Sequence, residues 1–293
     1  MSIIVDLARS GRRITRVAGR RNEFTWRYML NLRPTVSWAL SSRAPLSGEC
    51  RRVLADLDRD GVALTTAGRL FGHDGAFADL HSTFERLMND QAAEVEAIRN
   101  AALNNDRTEQ KPYLLSLLGE YPRLDAASPY GRFALSTQVT GIAQGYFGMR
   151  VALRHYNIWC NFVTGRRPSQ SQLWHRDPED RYILKVFVCL GDVDENTGPF
   201  TYAPGTHPKG AVTREPEFLF KDGKTPRSDD DQVGKIVSPE KWVRGIGPAG
   251  TIIFADTRGL HKGGLAKSRE RYLYTAEFTS PNAGDGGILT GRA

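Results

Sequence analysis

The sequence predicts a mainly β fold, an antiparallel sandwich or barrel with helices packed outside it. Three observations lead there. Helical periodicity is confined to the first half of the chain, runs rich in β-branched and aromatic residues fill the second half, and no strand–helix–strand alternation joins them. A parallel sheet would need that alternation. With 293 residues, 40% apolar and 25% charged, the chain lies in the range of a globular domain large enough to bury a core.

The first element is an unusual N-terminus. Residues 1–52 carry 11 arginines against three acidic residues, whereas the remainder holds 29 basic and 30 acidic residues, so the formal charge of +7 resides in the first fifth. An arginine-rich start is compatible with a transit peptide, a nucleic-acid arm or a membrane-surface anchor. The preferred reading is the plainer one, a solvated, partly helical extension that packs on the domain. Ile3, Ile4, Val5, Phe24, Trp26, Tyr28, Leu30 and Trp38 give it more apolar content than a disordered tail needs, so residues 1–52 are expected to pack on the core or to be partly flexible. No secretory signal pattern occurs. The most apolar stretch, Met29–Leu40, is interrupted by Arg33 and Pro34, which excludes a membrane-spanning helix there.

Residues 44–52 read as a boundary, and a single domain over 53–280 is expected beyond it. A short helix with Leu54 and Leu57 on one face should stop at the turn dipeptide Asp60-Gly61, and Val62–Thr65 reads as a strand. Residues 76–104, through Phe77, Leu80, Phe84, Leu87, Met88, Val95 and Ile98, are spaced as a helix. So are residues 130–147. Strands are then expected at Val151–Val163, Tyr182–Leu190, Gly250–Asp256 and Tyr272–Thr279, separated by turn clusters. Residues 214–240 form a long charged insertion with Asp229, Asp230 and Asp231 at its tip, a candidate lid. The tail 281–293 is expected to fray. Cys50, Cys160 and Cys189 cannot form a disulfide framework and lack zinc-site spacing; Cys189 falls inside a core strand.

Chemistry concentrates in two histidine contexts. In the extended stretch Trp174-His175-Arg176-Asp177, residues i and i+2 face the same way, so His175 and Asp177 can aim a ring nitrogen and a carboxylate oxygen at one metal ion. His261 stands just beyond the Gly250–Asp256 strand, with Gly263-Gly264 after it to turn the chain. Two histidines and one carboxylate compose the facial triad of non-haem Fe(II) oxygenases, which leaves coordination positions open. Arg271 follows His261 by ten residues and opens the next strand. Its guanidinium can clamp a carboxylate in a bidentate pair. His207, in the turn-rich Pro204-Gly205-Thr206-His207, is expected to pack or hydrogen-bond within its loop, and is the substitute ligand should His261 not serve. His155 is expected to be structural. His73 and His81 carry no metal spacing.

Taken together, these motifs resemble the phytanoyl-CoA dioxygenase-like branch of the Fe(II)/2-oxoglutarate-dependent oxygenases. The matching text is His175-Arg176-Asp177, Lys185 through Phe200 with its Asp194-Glu195-Asn196-Thr197-Gly198-Pro199 turn, Pro204–His207, the Gly250–Asp256 strand, His261–Gly264 and Arg271, together with Leu57–Thr65. The resemblance spans roughly residues 53–280. It implies a mainly β chain with packed, mostly N-terminal helices around a double-stranded β-helix (jelly-roll, cupin-like) core. It also implies that His175, Asp177 and His261 ligate Fe(II), that Arg271 pairs with 2-oxoglutarate, and that O2 is the oxidant. In this family amides at the positions of Asn157 and Asn161 often reach the cosubstrate; these two share a strand face with Trp159, although ordinary strand positions explain them equally well. One departure is the spacing to Arg271, a residue shorter than usual, with Arg269 as the rival clamp. Lys185 can face either the cavity or solvent.

The implied activity is oxidation, most simply hydroxylation, of an unactivated C–H bond in a small organic molecule such as a natural-product, lipid or sugar intermediate, with release of succinate and CO2. Asp177 disfavours halogenation, because halogenating relatives lack that carboxylate. Three readings remain open beside this one: a binding module without turnover, a metal-dependent cupin-like enzyme such as a hydrolase that does not use 2-oxoglutarate, and a nucleic-acid or protein hydroxylase guided by the basic N-terminus. The expected partner is a small molecule rather than nucleic acid, and the expected compartment is the cytoplasm; the oligomeric state is not legible.

Overall fold

A computed structural model describes residues 22–72, 75–219, 225–284 and 286–290. The first half is helical. A π-helical turn at Thr25–Leu30 leads into α1 (Leu32–Leu40), and α2 follows at Gly48–Asp60. The Ser47 side chain accepts the Cys50 N–H at the start of α2, and Gly61 closes it in the left-handed region at φ +79°. Helix α2 therefore begins inside the stretch expected to be a boundary. A Cβ at Gly61 would lie 2.5 Å from the Tyr202 hydroxyl, so this turn needs glycine for space as well as for conformation.

β1 (Val62–Thr66) leads into α3 (Ala67–Phe71). The periodic stretch 76–104 divides at Gln91 into α4 (Gly75–Asp90) and α5 (Ala92–Leu103), and 130–147 divides into α6 (Pro129–Ala134) and α7 (Thr137–Phe147) around the Ser136 turn. A short strand, β2 (Leu114–Ser116), lies between α5 and α6. The strands β3 (Ala152–Asn161), β4 (Leu184–Cys189), β5 (Phe200–Tyr202), β6 (Val243–Arg244), β7 (Thr251–Asp256), β8 (His261–Gly263), β9 (Arg271–Thr279) and β10 (Ile288–Leu289) follow.

Two antiparallel sheets result. The larger runs β1-β7-β4-β9-β3-β10, with β2 also on β3, and the smaller runs β6-β5-β8. Period-two alternation sorts the large sheet's side chains. Leu184, Val186 and Val188 on β4, Ile252 and Phe254 on β7, and Tyr274, Ala276 and Phe278 on β9 enter one core with Leu57, Leu80, Phe84, Ile142 and Phe147 from the helices. The opposite face of the sheet carries Lys185 and Phe187 on β4 and Arg271, Leu273 and Thr275 on β9, turned toward the small sheet. The helices thus cover one face, and the other is left for chemistry.

The tail departs from expectation. Ile288 and Leu289 pair with Leu153 and Ala152, and the Thr290 hydroxyl bonds the Val151 backbone, because the β3 edge would otherwise present unpaired N–H and C=O groups. Residues 285 and 291–293 of that tail, residues 220–224 of the insertion, His73, and residues 1–21 of the basic terminus lie outside the described residues. Trp26, within the N-terminal 52 residues, sits in the main core. All three cysteines are free and buried. No helix among the described residues is long and apolar enough to cross a membrane.

Candidate metal centre

The two histidines meet because their backbones pair. His175 N–H donates to the His261 carbonyl at 2.9 Å, and His261 N–H donates to the His175 carbonyl at 3.0 Å. Residues facing one another in such an antiparallel pair project to the same side, and the ring centroids stand 4.2 Å apart. Asp177, two residues along, is held by its N–H to the Thr257 carbonyl and by Arg258, whose Nη1 donates to the Asp177 carbonyl at 2.7 Å. His175 Nε2 lies 3.8 Å from Asp177 Oδ1, and His261 Nε2 lies 3.7 Å from Asp177 Oδ2. Donor atoms of all three residues fall within 4.8 Å of one another.

The second nitrogen of each ring decides what the first can do. His175 Nδ1 lies 2.8 Å from the Leu173 carbonyl, and His261 Nδ1 lies 3.0 Å from the Gly259 carbonyl. A carbonyl only accepts, so each Nδ1 carries the proton and each Nε2 presents a lone pair. Burial, together with the neighbouring imidazole in the case of His175, lowers the pKa of both rings and keeps them neutral. Burial alone would raise the Asp177 pKa, but the neighbouring charge, the Lys185 ammonium foremost, holds it well below the usual carboxylate range. Two neutral nitrogens and one carboxylate, preoriented by second-sphere carbonyls, suit a divalent first-row metal such as Fe(II).

Lys185 faces this cavity. Its ammonium lies 2.7 Å from Asp177 Oδ2 and 3.4 Å from Glu277 across the β4–β9 pairing. A cavity of about 200 Å³ opens between the sheets, bounded by the triad, Lys185, Phe187, Phe200, Trp159 and Arg271. Arg271 is 8% exposed, yet its Nε and Nη1 are buried without a hydrogen-bond partner. Burial pushes its pKa down to about 10, which still leaves it cationic at neutral pH. A buried guanidinium with unmet donors beside the His175–Asp177–His261 cluster is able to clamp a carboxylate. Arg269 instead pairs with Asp194 at the surface.

The two asparagines lie on the cavity face, opposite Thr275 and Arg271 in the β3–β9 register. Asn157 spends its amide on the backbone, donating to the Gly119 carbonyl at 2.8 Å and accepting from the Leu118 and Ile158 N–H groups. Asn161 donates to the Gly264 carbonyl at 3.3 Å. His207 is buried near Asp58, with Nε2 3.3 Å from its carbonyl, and is not grouped with the triad. His155 stacks on Trp159, and His81 reaches the Leu190 carbonyl. Sequence reasoning missed Thr275 and Leu273, although alternation from Arg271 would have found them. Lys111 and Ser171 also line the cavity; the sequence places substrate-defining residues within 66–75, 106–130 and 211–240 without singling out any one of them.

No family model matches the chain, and no curated protein matches it in sequence. Solved structures do. EctD from S. alaskensis, with 2-oxoglutarate and 5-hydroxyectoine, superposes at a TM-score of 0.52 and 20% identity over 85% of this chain and 82% of that one. The same protein with bound Fe superposes at 0.51, again at 20% identity over 85% and 82%. SnoN, a non-heme alpha-ketoglutarate-dependent epimerase from nogalamycin biosynthesis, is 16% identical over 83% of this chain and 94% of its own, at 0.48. The chain has the jelly-roll, double-stranded β-helix fold that the Fe(II)/2-oxoglutarate-dependent oxygenases share.

Proposed function

We propose that the protein is an Fe(II)- and 2-oxoglutarate-dependent dioxygenase that hydroxylates, or otherwise oxidises, an unactivated C–H bond of a small organic molecule. The observation that carries this reading is one cavity holding both a preoriented His175–Asp177–His261 triad and the buried, unpartnered guanidinium of Arg271. The fold it shares with EctD, described with Fe and with 2-oxoglutarate, supports the same assignment. His175, Asp177 and His261 would hold the iron, and Arg271 would fix the far carboxylate of 2-oxoglutarate. The bound iron and cosubstrate supply the oxidising chemistry. The chain's own part is orientation. The Leu173 and Gly259 carbonyls set the tautomers, Lys185 and Glu277 hold the Asp177 carboxylate in place, and Phe187, Phe200 and Trp159 wall the cavity.

The test is anaerobic addition of Fe(II) and 2-oxoglutarate to metal-free protein, followed by visible absorption. Wild type is expected to develop a weak charge-transfer band. His261→Ala should lose it together with tight iron binding, and Arg271→Ala should require at least about tenfold more 2-oxoglutarate, the loss of one charged hydrogen-bonded partner. Iron binding without a band would overturn the cosubstrate assignment and favour a metal-dependent enzyme that does not use 2-oxoglutarate.

A further inference from the structure

A second guanidinium stands beside the triad. The small sheet continues past β8 through two bridges: His261 pairs with His175, and Trp174 pairs with Ser228. Trp174 and Ser228 exchange both backbone hydrogen bonds at 3.0 Å. Antiparallel register then sets Arg227 opposite His175, in a position where facing side chains are closest and project to the same side. His261, His175 and Arg227 therefore form one row across the inner face of the small sheet. The row is held from outside, where Trp174 Nε1 donates to Asp230 Oδ1 at 2.6 Å and the Trp174 ring packs on Trp242 with centroids 4.7 Å apart.

Arg227 Nε and Nη1 are buried and have no hydrogen-bond partner among the described residues. Arg227 is half-buried as a residue, but these two nitrogens are shielded from solvent, and their unmet donors offer a place that an anion can fill. Asp177, the carboxylate that acts on Arg227, is engaged by Lys185, which also pairs with Glu277. Arg271 lies in a different direction, along β8 rather than across the sheet, with its Nη2 3.5 Å from where a Gly263 Cβ would stand. The Arg227 charge is close enough to act on His175, His261, Asp177 and Lys111, four residues that line the cavity.

We propose that Arg227 is a second anion site, distinct from Arg271, that binds a carboxylate of the organic substrate. This rests on the dioxygenase reading, in which Arg271 is occupied by the far carboxylate of 2-oxoglutarate. One anion then satisfies each guanidinium. The substrate class narrows from any small organic molecule to one bearing a carboxylate close to the carbon that is oxidised. The planar, weakly hydrated fork of an arginine suits that planar anion.

The test observes the arginine directly. Arginine Nε–H cross-peaks are recorded by NMR on wild-type protein loaded with Zn(II), a diamagnetic stand-in for iron, and the Arg227 and Arg271 peaks are assigned with Arg227→Lys and Arg271→Lys. 2-Oxoglutarate is added to saturation, and acetate or acetamide is then titrated at constant ionic strength. Acetate is expected to move the Arg227 peak saturably, and acetamide to bind about tenfold more weakly or not at all. If acetate no longer moves the Arg227 peak once 2-oxoglutarate is saturating, or if acetamide matches acetate, the proposal is overturned. If 2-oxoglutarate moves neither arginine peak, the dioxygenase reading fails instead. The acetate titration repeated with Zn(II) alone then still decides whether Arg227 binds a carboxylate.

Discussion

Asp256 ends β7 in full burial. Its Oδ2 accepts the Tyr146 hydroxyl at 2.6 Å, and its Oδ1 accepts the N–H groups of Arg258 at 3.0 Å and Ile183 at 3.2 Å. Burial outweighs these bonds and pushes its pKa from an ordinary 3.8 up to about 6. The folded state therefore holds this proton more tightly than the unfolded chain does. The resulting stabilisation is fully present below about pH 4 and is lost as pH rises through 6. At about 1.4 kcal/mol per pH unit, the effect is on the order of 2–3 kcal/mol. Asp256→Asn removes the titration, so the difference in Tm between wild type and variant should change sharply between pH 4 and 6.5 and be flat above. A difference independent of pH would refute this account. The residue scale is also where the sequence was most and least legible. His175 and Asp177 stand two apart in an extended stretch, and that spacing already tells that they face the same way; His261 and Arg271 were assigned through the family resemblance. Lys185 could not be assigned, because what turns it inward is its register opposite Glu277, about ninety residues away in the chain. Arg227 was invisible for the same reason: only its pairing across from His175 gives it a role.

At the scale of elements, the insertion between β5 and β6 bears on the site through one strand-like contact. Helix α8 (Asp230–Gly234) begins with the Asp229 side chain accepting the Gln232 N–H. Its first residue, Asp230, accepts the indole N–H of Trp174, a fully buried side chain adjacent to His175, and also pairs with Lys262 beside His261. One exposed carboxylate thus ties the insertion to both strands that carry the histidines. Asp230→Ala leaves the Trp174 N–H without its partner and should cost about 1–2 kcal/mol. Proteolysis should show cleavage in 214–240 rising in that variant while the remainder of the chain stays protected. Uniform protection would mean that the clamp contributes nothing. Sequence patterning identified this segment as long and charged, and so as a possible lid, but composition cannot show that its C-terminal part is anchored. The five long strands β1, β3, β4, β7 and β9 were legible to within two residues because burial and β-branched content mark them, whereas the two- and three-residue strands β2, β5, β6, β8 and β10 were not anticipated, being too short to carry a periodic signal. Helix breaks at Gln91 and Ser136 were not, since the apolar spacing continues through both and only backbone geometry interrupts it.

For the whole molecule, the open question was whether the basic N-terminus belongs to the fold. Trp26 is 1% exposed, and its indole N–H donates to Asp180 Oδ1 at 2.9 Å, while Asp180 Oδ2 accepts the Ser280 N–H at 2.8 Å. The ring packs edge-on against Tyr182, with centroids 5.1 Å apart. Arg27 Nη1 donates to the Phe147 and Gly148 carbonyls at the end of α7, and Glu23 pairs with both Arg27 and Arg181. These contacts join the first described residues to α7, to the chain entering β4 and to the end of β9. Composition alone could show only that the segment has enough apolar residues to pack, since charge dominates its sequence and its partners lie over a hundred residues away. Trp26→Ala should cost about 3–5 kcal/mol, the usual range for emptying a buried tryptophan site. Removal of residues 1–45 takes away the same indole together with the Arg27 and Glu23 contacts, so it should lower Tm at least as far. If the segment instead served mainly as a nucleic-acid arm, the truncated protein would keep the wild-type Tm and lose only a salt-sensitive affinity for nucleic acid. Thermal unfolding of both variants, read beside nucleic-acid binding at two salt concentrations, separates these outcomes, and a Tm unchanged in the truncated protein would remove the N-terminus from the folded unit.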